Sequence, residues 1–212
     1  MHIAVSSQGG KRNRAGVVCH CPSGLKLRGE VMRIESGIFV LSPRATYLQL
    51  SSVLPLESLA MLAFELCGFY SMLPCDSSFA SANPLTSVDA IESFARLNSG
   101  YAGCARGLKA IAFVADRSAS PAESRLVALL CAKQTLGGYG LPMPEMNRRV
   151  DVVGEGRKCT PHRYFVLDLY WSDARLDVEY DSDAFHASSA GIASDAGRRN
   201  ALQAMGYSVI TV

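Results

Sequence analysis

Four carboxylates crowd the most β-prone part of this sequence: Asp168 in "YFVLDLYW" and Asp177, Glu179 and Asp181 in "RLDVEYD". Side chains alternate along a strand, so Tyr164, Val166, Asp168 and Tyr170 share one face, and Phe165, Leu167, Leu169 and Trp171 share the other. In the second run Leu176, Val178 and Tyr180 are apolar, leaving Asp177, Glu179 and Asp181 opposite. A hairpin turn over 172–175 with four loop residues would pair Trp171 with Leu176, Leu169 with Val178 and Asp168 with Glu179. A two-residue loop would instead set Asp168 against Asp177. Either register stacks like charges, which destabilises a ladder unless a cation or a proton neutralises them. Arg175 is the one basic residue inside these two runs, so a hard divalent cation, Mg²⁺ or Mn²⁺, is the natural partner. The competing reading is a polar face wetted by solvent, as on many antiparallel sheets.

Two further residues belong with this group. Glu123 is the fourth residue of "SPAE", where a capping-box glutamate reaches back to the Ser120 amide. It also falls in register with Leu126, Val127 and Leu130 at helical spacing, on the core-facing stripe, where a third carboxylate would meet the strands. His186 follows Asp181 by five residues and would leave the strand beside the acids. A lone histidine is more often a structural hydrogen-bonder than a catalyst.

The elements that must hold these residues read as follows. "HIAVSS", "GVVCHC", "GEVMRI" and "GIFVLS" form a β-rich opening. Pro43 and Pro55 stand at the first positions of two helices, the second running through "PLESLAMLAFELCGFYSML". Residues 75–86 read as a loop, and "SVDAIESFARLNS" and "ARGLKAIAFVA" as two more helices. Then come a helix opened by Ser120 and closed by Gly137, a strand near 147–153, the two acid-bearing strands, an Ala/Ser-rich helix ending at Gly206, and "YSVITV". The expected fold is α/β, with an α-β-β-β-α-β unit at 116–212 behind a small β-rich and helical region at 1–115.

Composition sets the limits. The 212 residues carry a net charge of +2, without the global basic field of an obligate nucleic-acid binder. Lys11, Arg12 and Arg14, Arg148 and Arg149, and Arg198 and Arg199 form local basic clusters, each read singly as solvated surface charge. Seven cysteines at irregular spacing do not suit a disulfide framework, and "CHC" at 19–21 lacks a second ligand pair at zinc-finger spacing. The apolar run from Leu54 to Leu73 is broken by Pro55, Glu57, Glu65 and Gly68, so no membrane crossing is expected. The opening residues lack a secretory signal pattern, and the expected compartment is the cytoplasm.

"SPAESRL", "LDLYW", "VEYDSDAFH" and "DAGRRNALQAMGYSVITV" together resemble the very-short-patch-repair-endonuclease-like proteins, a branch of the PD-(D/E)XK nuclease superfamily. The resemblance runs from about Ser118 to Val212. The first half is similar to the segment preceding this domain in bacterial abortive-infection-type antitoxins or regulators. The resemblance implies a PD-(D/E)XK core with Glu123, Asp168 and Glu179 as Mg²⁺ or Mn²⁺ ligands, and Asp181 and His186 completing the catalytic set. It implies DNA as substrate, phosphates held by Arg198 and Arg199, and in-line attack of water on a phosphodiester. It also leaves room for a nuclease-fold regulator that binds DNA or, through its N-terminal region, a protein. The superfamily lysine position is Asp181 here, as in this branch, and Ser182 stands where the branch commonly has glycine.

Overall fold

The structure, a computed structural model, describes residues 2–5, 8–12, 15–36, 38–74, 78–180 and 189–212. The chain opens with β1 (His2–Ala4), β2 (Val18–His20), β3 (Val31–Glu35) and β4 (Ile38–Leu41). Next come α1 (Pro43–Leu50), α2 (Leu56–Cys67), β5 (Tyr70–Met72), β6 (Phe79–Ser81), α3 (Val88–Leu97) and α4 (Cys104–Ile111). The rest is α5 (Pro121–Cys131), β7 (Glu145–Asp151), β8 (Tyr164–Trp171), β9 (Leu176–Glu179), α6 (Ser189–Ala204) and β10 (Ser208–Thr211). This is a mixed α/β chain, and the order α5-β7-β8-β9-α6-β10 is the expected one. None of the described helices is long and apolar enough to cross a membrane.

Two compact units result, and neither is continuous in sequence. One gathers Met1–Leu59 with Val88–Ile111, the other Ala60–Ser87 with Ala112–Val212. In the first, Ser42 caps α1 by accepting the Ala45 amide at 3.2 Å, with Pro43 at the first helical position. Buried Glu30 is tied to both the Ser42 hydroxyl and Arg44, whose guanidinium reaches its carboxylate at 2.7 Å. That pairing with Arg44 holds the Glu30 carboxyl below its ordinary range. Leu25, Ala45, Leu48, Phe94, Ala95 and Cys104 make the local core. β3 and β4 form an antiparallel hairpin whose Val31, Met32, Ile34, Ile38, Phe39 and Val40 all remain exposed.

In the second unit, residues 60–87 fold with the C-terminal stretch through main-chain bonds from Phe69 to Ser118 (2.6 Å) and from Arg117 to Cys67 (3.0 Å). The helix read through Leu73 stops at Cys67. A Cβ at Gly68 would lie 2.6 Å from the Phe64 carbonyl and 2.7 Å from that of Ser118, so glycine allows the close passage into β5. β6 pairs with β5 inside the stretch read as a loop. α5 likewise ends early, because Ala132 turns extended at φ −60°, ψ 145°. Gly137, at φ 86°, closes a separate 3₁₀ turn over Gln134–Leu136.

The four-stranded sheet has the order β10-β9-β8-β7. β7, β8 and β9 run antiparallel, and β10 returns through α6 to lie parallel to β9. Val152, Phe165 and Leu167 pack with Ala201 and Leu202 of α6. Burial of such apolar side chains contributes about 1.5–3 kcal/mol each before entropy is counted.

Candidate functional site

β8 and β9 pair in the four-residue-loop register, with Leu169 opposite Val178, Tyr170 opposite Asp177 and Trp171 opposite Leu176. Asp168 and Glu179 are the next pair along. The Tyr180 amide donates to Asp168 Oδ2 at 3.0 Å, which fixes the carboxylate beside the end of β9. Both acids open into one cleft of about 330 Å³, lined also by Val166, Tyr180, Arg198, Arg199 and Thr211. Asp168 titrates high, at about 6, because burial disfavours its charge; Glu123 and Glu179 push the same way, while the Tyr180 amide and Arg198 oppose them.

The solvated-face reading fails at Asp177. This residue is fully buried, and neither carboxylate oxygen has a hydrogen-bond partner while it is ionised. Burial, then its contact with Glu179, raises its pKa to about 8. Two carboxylates cannot donate to each other, so a proton on Asp177 turns that contact into a hydrogen bond to Glu179.

The cation on this face comes from α6. Arg198 Nε donates to Glu179 Oε1 at 2.7 Å, and Nη2 donates both to that oxygen and to the Val166 carbonyl, the latter at 2.6 Å. Its guanidinium stands 5.1 Å from the centre of the Phe165 ring. Arg175, the cation visible within the strands, turns elsewhere: it donates to the Met205 carbonyl at 2.7 Å and covers the Tyr207 ring.

Glu123 meets the site indirectly. Ser120 accepts the Glu123 amide at 3.1 Å, and the carboxylate takes bonds from the Ser120 hydroxyl and the Ala119 amide, both at 3.0 Å. This is a capping box with the return bond shifted to Ala119. Asn147 Nδ2 donates to Glu123 Oε2 at 2.7 Å and to the Arg117 carbonyl at 2.9 Å. Asn147 lies between the register pairs Met146–Leu169 and Arg148–Leu167, hence opposite Asp168, and its φ of 48° marks a locally left-handed backbone. Sequence reasoning missed Asn147; a polar residue at mid-strand was the available signal.

Asp168 and Glu179 are thus brought together, with Arg198 and Arg199 on the same cleft, while Glu123 is held one residue away through Asn147. Asp181 and His186 lie outside the described residues. Among the described residues no three His, Cys, Asp or Glu side chains are grouped as ligands of one ion. What suits a hard divalent cation is the chemistry of the donors: two carboxylates, Asp168 and Glu179, on the wall of one cleft.

No family model matches the chain, and no solved structure matches it. Two uncharacterized proteins from two strains of Mycobacterium tuberculosis are similar to it, each 30% identical over 95 residues. The match spans 45% of this chain and 30% of each relative, so the chain covers less than a third of those curated proteins.

Proposed function

We propose that this chain is a metal-dependent DNA endonuclease-like protein that hydrolyses phosphodiester bonds, with a PD-(D/E)XK-type core in its second unit. The observation that carries the reading is the convergence of Asp168 and Glu179, from adjacent strands, on one cleft rimmed by Arg198 and Arg199. The element order and the motif resemblance support it.

Asp168 and Glu179 would hold Mg²⁺ or Mn²⁺, whose contribution is Lewis-acid polarisation of a phosphodiester oxygen and activation of water. The chain's own groups set the stage. The Tyr180 amide orients Asp168, Arg198 offsets the Glu179 charge, and the proton on Asp177 spares the site a third buried negative charge. Arg199, which lines the same cleft, would meet a backbone phosphate.

A second reading has its own support. Glu179 is engaged by Arg198 and Glu123 by its cap and Asn147, which favours a nuclease-fold regulator with weak hydrolysis. The exposed apolar β3–β4 hairpin suits a protein partner of such a regulator.

Nicking of supercoiled plasmid separates the two. The endonuclease reading expects Mg²⁺- or Mn²⁺-dependent nicking that is lost in Asp168→Asn and Glu179→Gln while both variants stay folded. Absence of nicking by the unaltered protein, with DNA binding intact in both variants, selects the regulator.

A further inference from the structure

A second cleft opens at the other end of the β7–β8 ladder. It has a volume of about 700 Å³ and is lined by Arg149, Asp151, Arg157, His162 and Arg163, among others. Three guanidiniums therefore meet one carboxylate. That carboxylate does little to cancel them: the Arg149–Asp151 contact is 3.3 Å long with both side chains about two-thirds exposed, a geometry that contributes little in water. Among the described residues neither Arg157 nor Arg163 is paired with an acid, whereas neighbouring Lys158 is bonded to Glu155 at 2.8 Å. Like charges gathered without counter-charge repel one another, and an anion relieves that repulsion.

The cleft is also prepared. Arg157 Nε donates to the Val152 carbonyl at 3.0 Å, which aims the guanidinium before any ligand arrives. Arg149 lies 4.0 Å above the Tyr164 ring, and His162 rests 6.0 Å from the Phe165 ring. Side chains already held lose less entropy on binding than free ones.

Register ties this cleft to the acids. Arg149 pairs with Val166 and Asp151 with Tyr164, so all four share the sheet face that carries Asp168. Val166 lines the acid cleft and Arg149 the basic one, making a common wall. From Asp168 to Tyr164 the strand advances roughly 13 Å at ~3.3 Å per residue. One strand of duplex DNA advances that far in roughly four phosphates, at ~3.4 Å each along the axis.

We infer that Arg149, Arg157 and Arg163 form a binding cleft for the phosphodiester backbone of a DNA strand whose neighbouring segment lies at Asp168 and Glu179. The inference rests on the endonuclease reading for what occupies the acid cleft, and it assigns the main backbone contacts away from Arg198, which is engaged with Glu179.

Fluorescence anisotropy of a short labelled DNA duplex, titrated with full-length protein in EDTA at several salt concentrations, tests it. Arg157→Gln combined with Arg163→Gln is expected to weaken binding about tenfold or more and to flatten the log–log salt slope by about 2. Arg163→Lys, which keeps the charge and guards against a folding artefact, should keep the slope of the unaltered protein. The inference is overturned if the double variant matches the unaltered protein in affinity and slope. It is equally overturned if the protein binds inorganic phosphate here but no DNA. Running the series also in Asp168→Asn keeps the two readings apart. Retained DNA affinity there with loss on the double change supports the cleft whatever the nicking assay finds, and failed nicking alone counts only against catalysis.

Discussion

The Asp168 carboxylate accepts a hydrogen bond from the Tyr180 amide, with N···Oδ2 at 3.0 Å, a side-chain-to-main-chain bond that sets it beside Glu179, the residue just before. A side chain that completes the ladder where strand pairing runs out cannot swing freely. The acid pair is therefore positioned by backbone geometry, and its electrostatics follow from burial.

Stability should fall as pH rises through the weakly acidic range. The folded state keeps a proton on Asp168 up to about 6 and on Asp177 up to about 8, whereas both unfolded carboxyls release theirs near 3.8. Between those limits the native state binds more protons, so raising pH favours unfolding. In Asp177→Asn the slope should flatten, and the amide can donate to Glu179 permanently. Thermal unfolding in EDTA from pH 5 to about 9 is expected to show the variant more stable at the alkaline end, by on the order of a few kcal/mol. A pH slope identical to that of the unaltered protein would exclude Asp177 as its source.

Glu123→Ala should cost stability first. The buried carboxylate accepts from Ser120, Ala119 and Asn147, and its removal strands those donors and weakens the N-terminus of α5. A loss of about 1–3 kcal/mol in urea denaturation is expected. Asn147→Ala should lose a similar amount, and the double variant should lose less than the sum because the two share a bond.

Arg198→Gln separates the structural and electrostatic roles of that residue. Without metal, Glu179 loses its charge partner, and the protein should be destabilised by about 1–3 kcal/mol. With metal, the released carboxylate should bind Mn²⁺ more tightly than before, seen as a larger rise in melting temperature per unit of added metal. An unchanged or smaller metal response would mean that Glu179 is not a ligand.

Local features of the fold were legible in the sequence because they are written in short-range chemistry. Pro43 and Ser120 mark helix starts, and the alternation of Phe165, Leu167 and Leu169 gives β8 to the residue. Of the two registers the sequence left open, the four-residue loop, with Leu169 against Val178, is the one observed. What long-range contacts decide was not legible. The Arg198–Glu179 pair joins residues 19 apart, and Asn147 reaches Glu123 across 24. Nothing local to β9 announces that Asp177 will be fully buried. Gly68 looks like a tolerable helix residue until the close Ser118 carbonyl is known.

Thermal unfolding of the full chain with and without millimolar Mn²⁺ tests the acid pair most directly, because an ion bound only by the native state must raise its stability, by about 2.7 kcal/mol at a hundredfold excess over Kd. The unaltered protein should melt at a higher temperature as Mn²⁺ is added, and Asp168→Asn should melt at the same temperature with or without it. No shift in the unaltered protein, or an equal shift in Asp168→Asn, would contradict the assignment of Asp168 and Glu179 as a divalent-metal site.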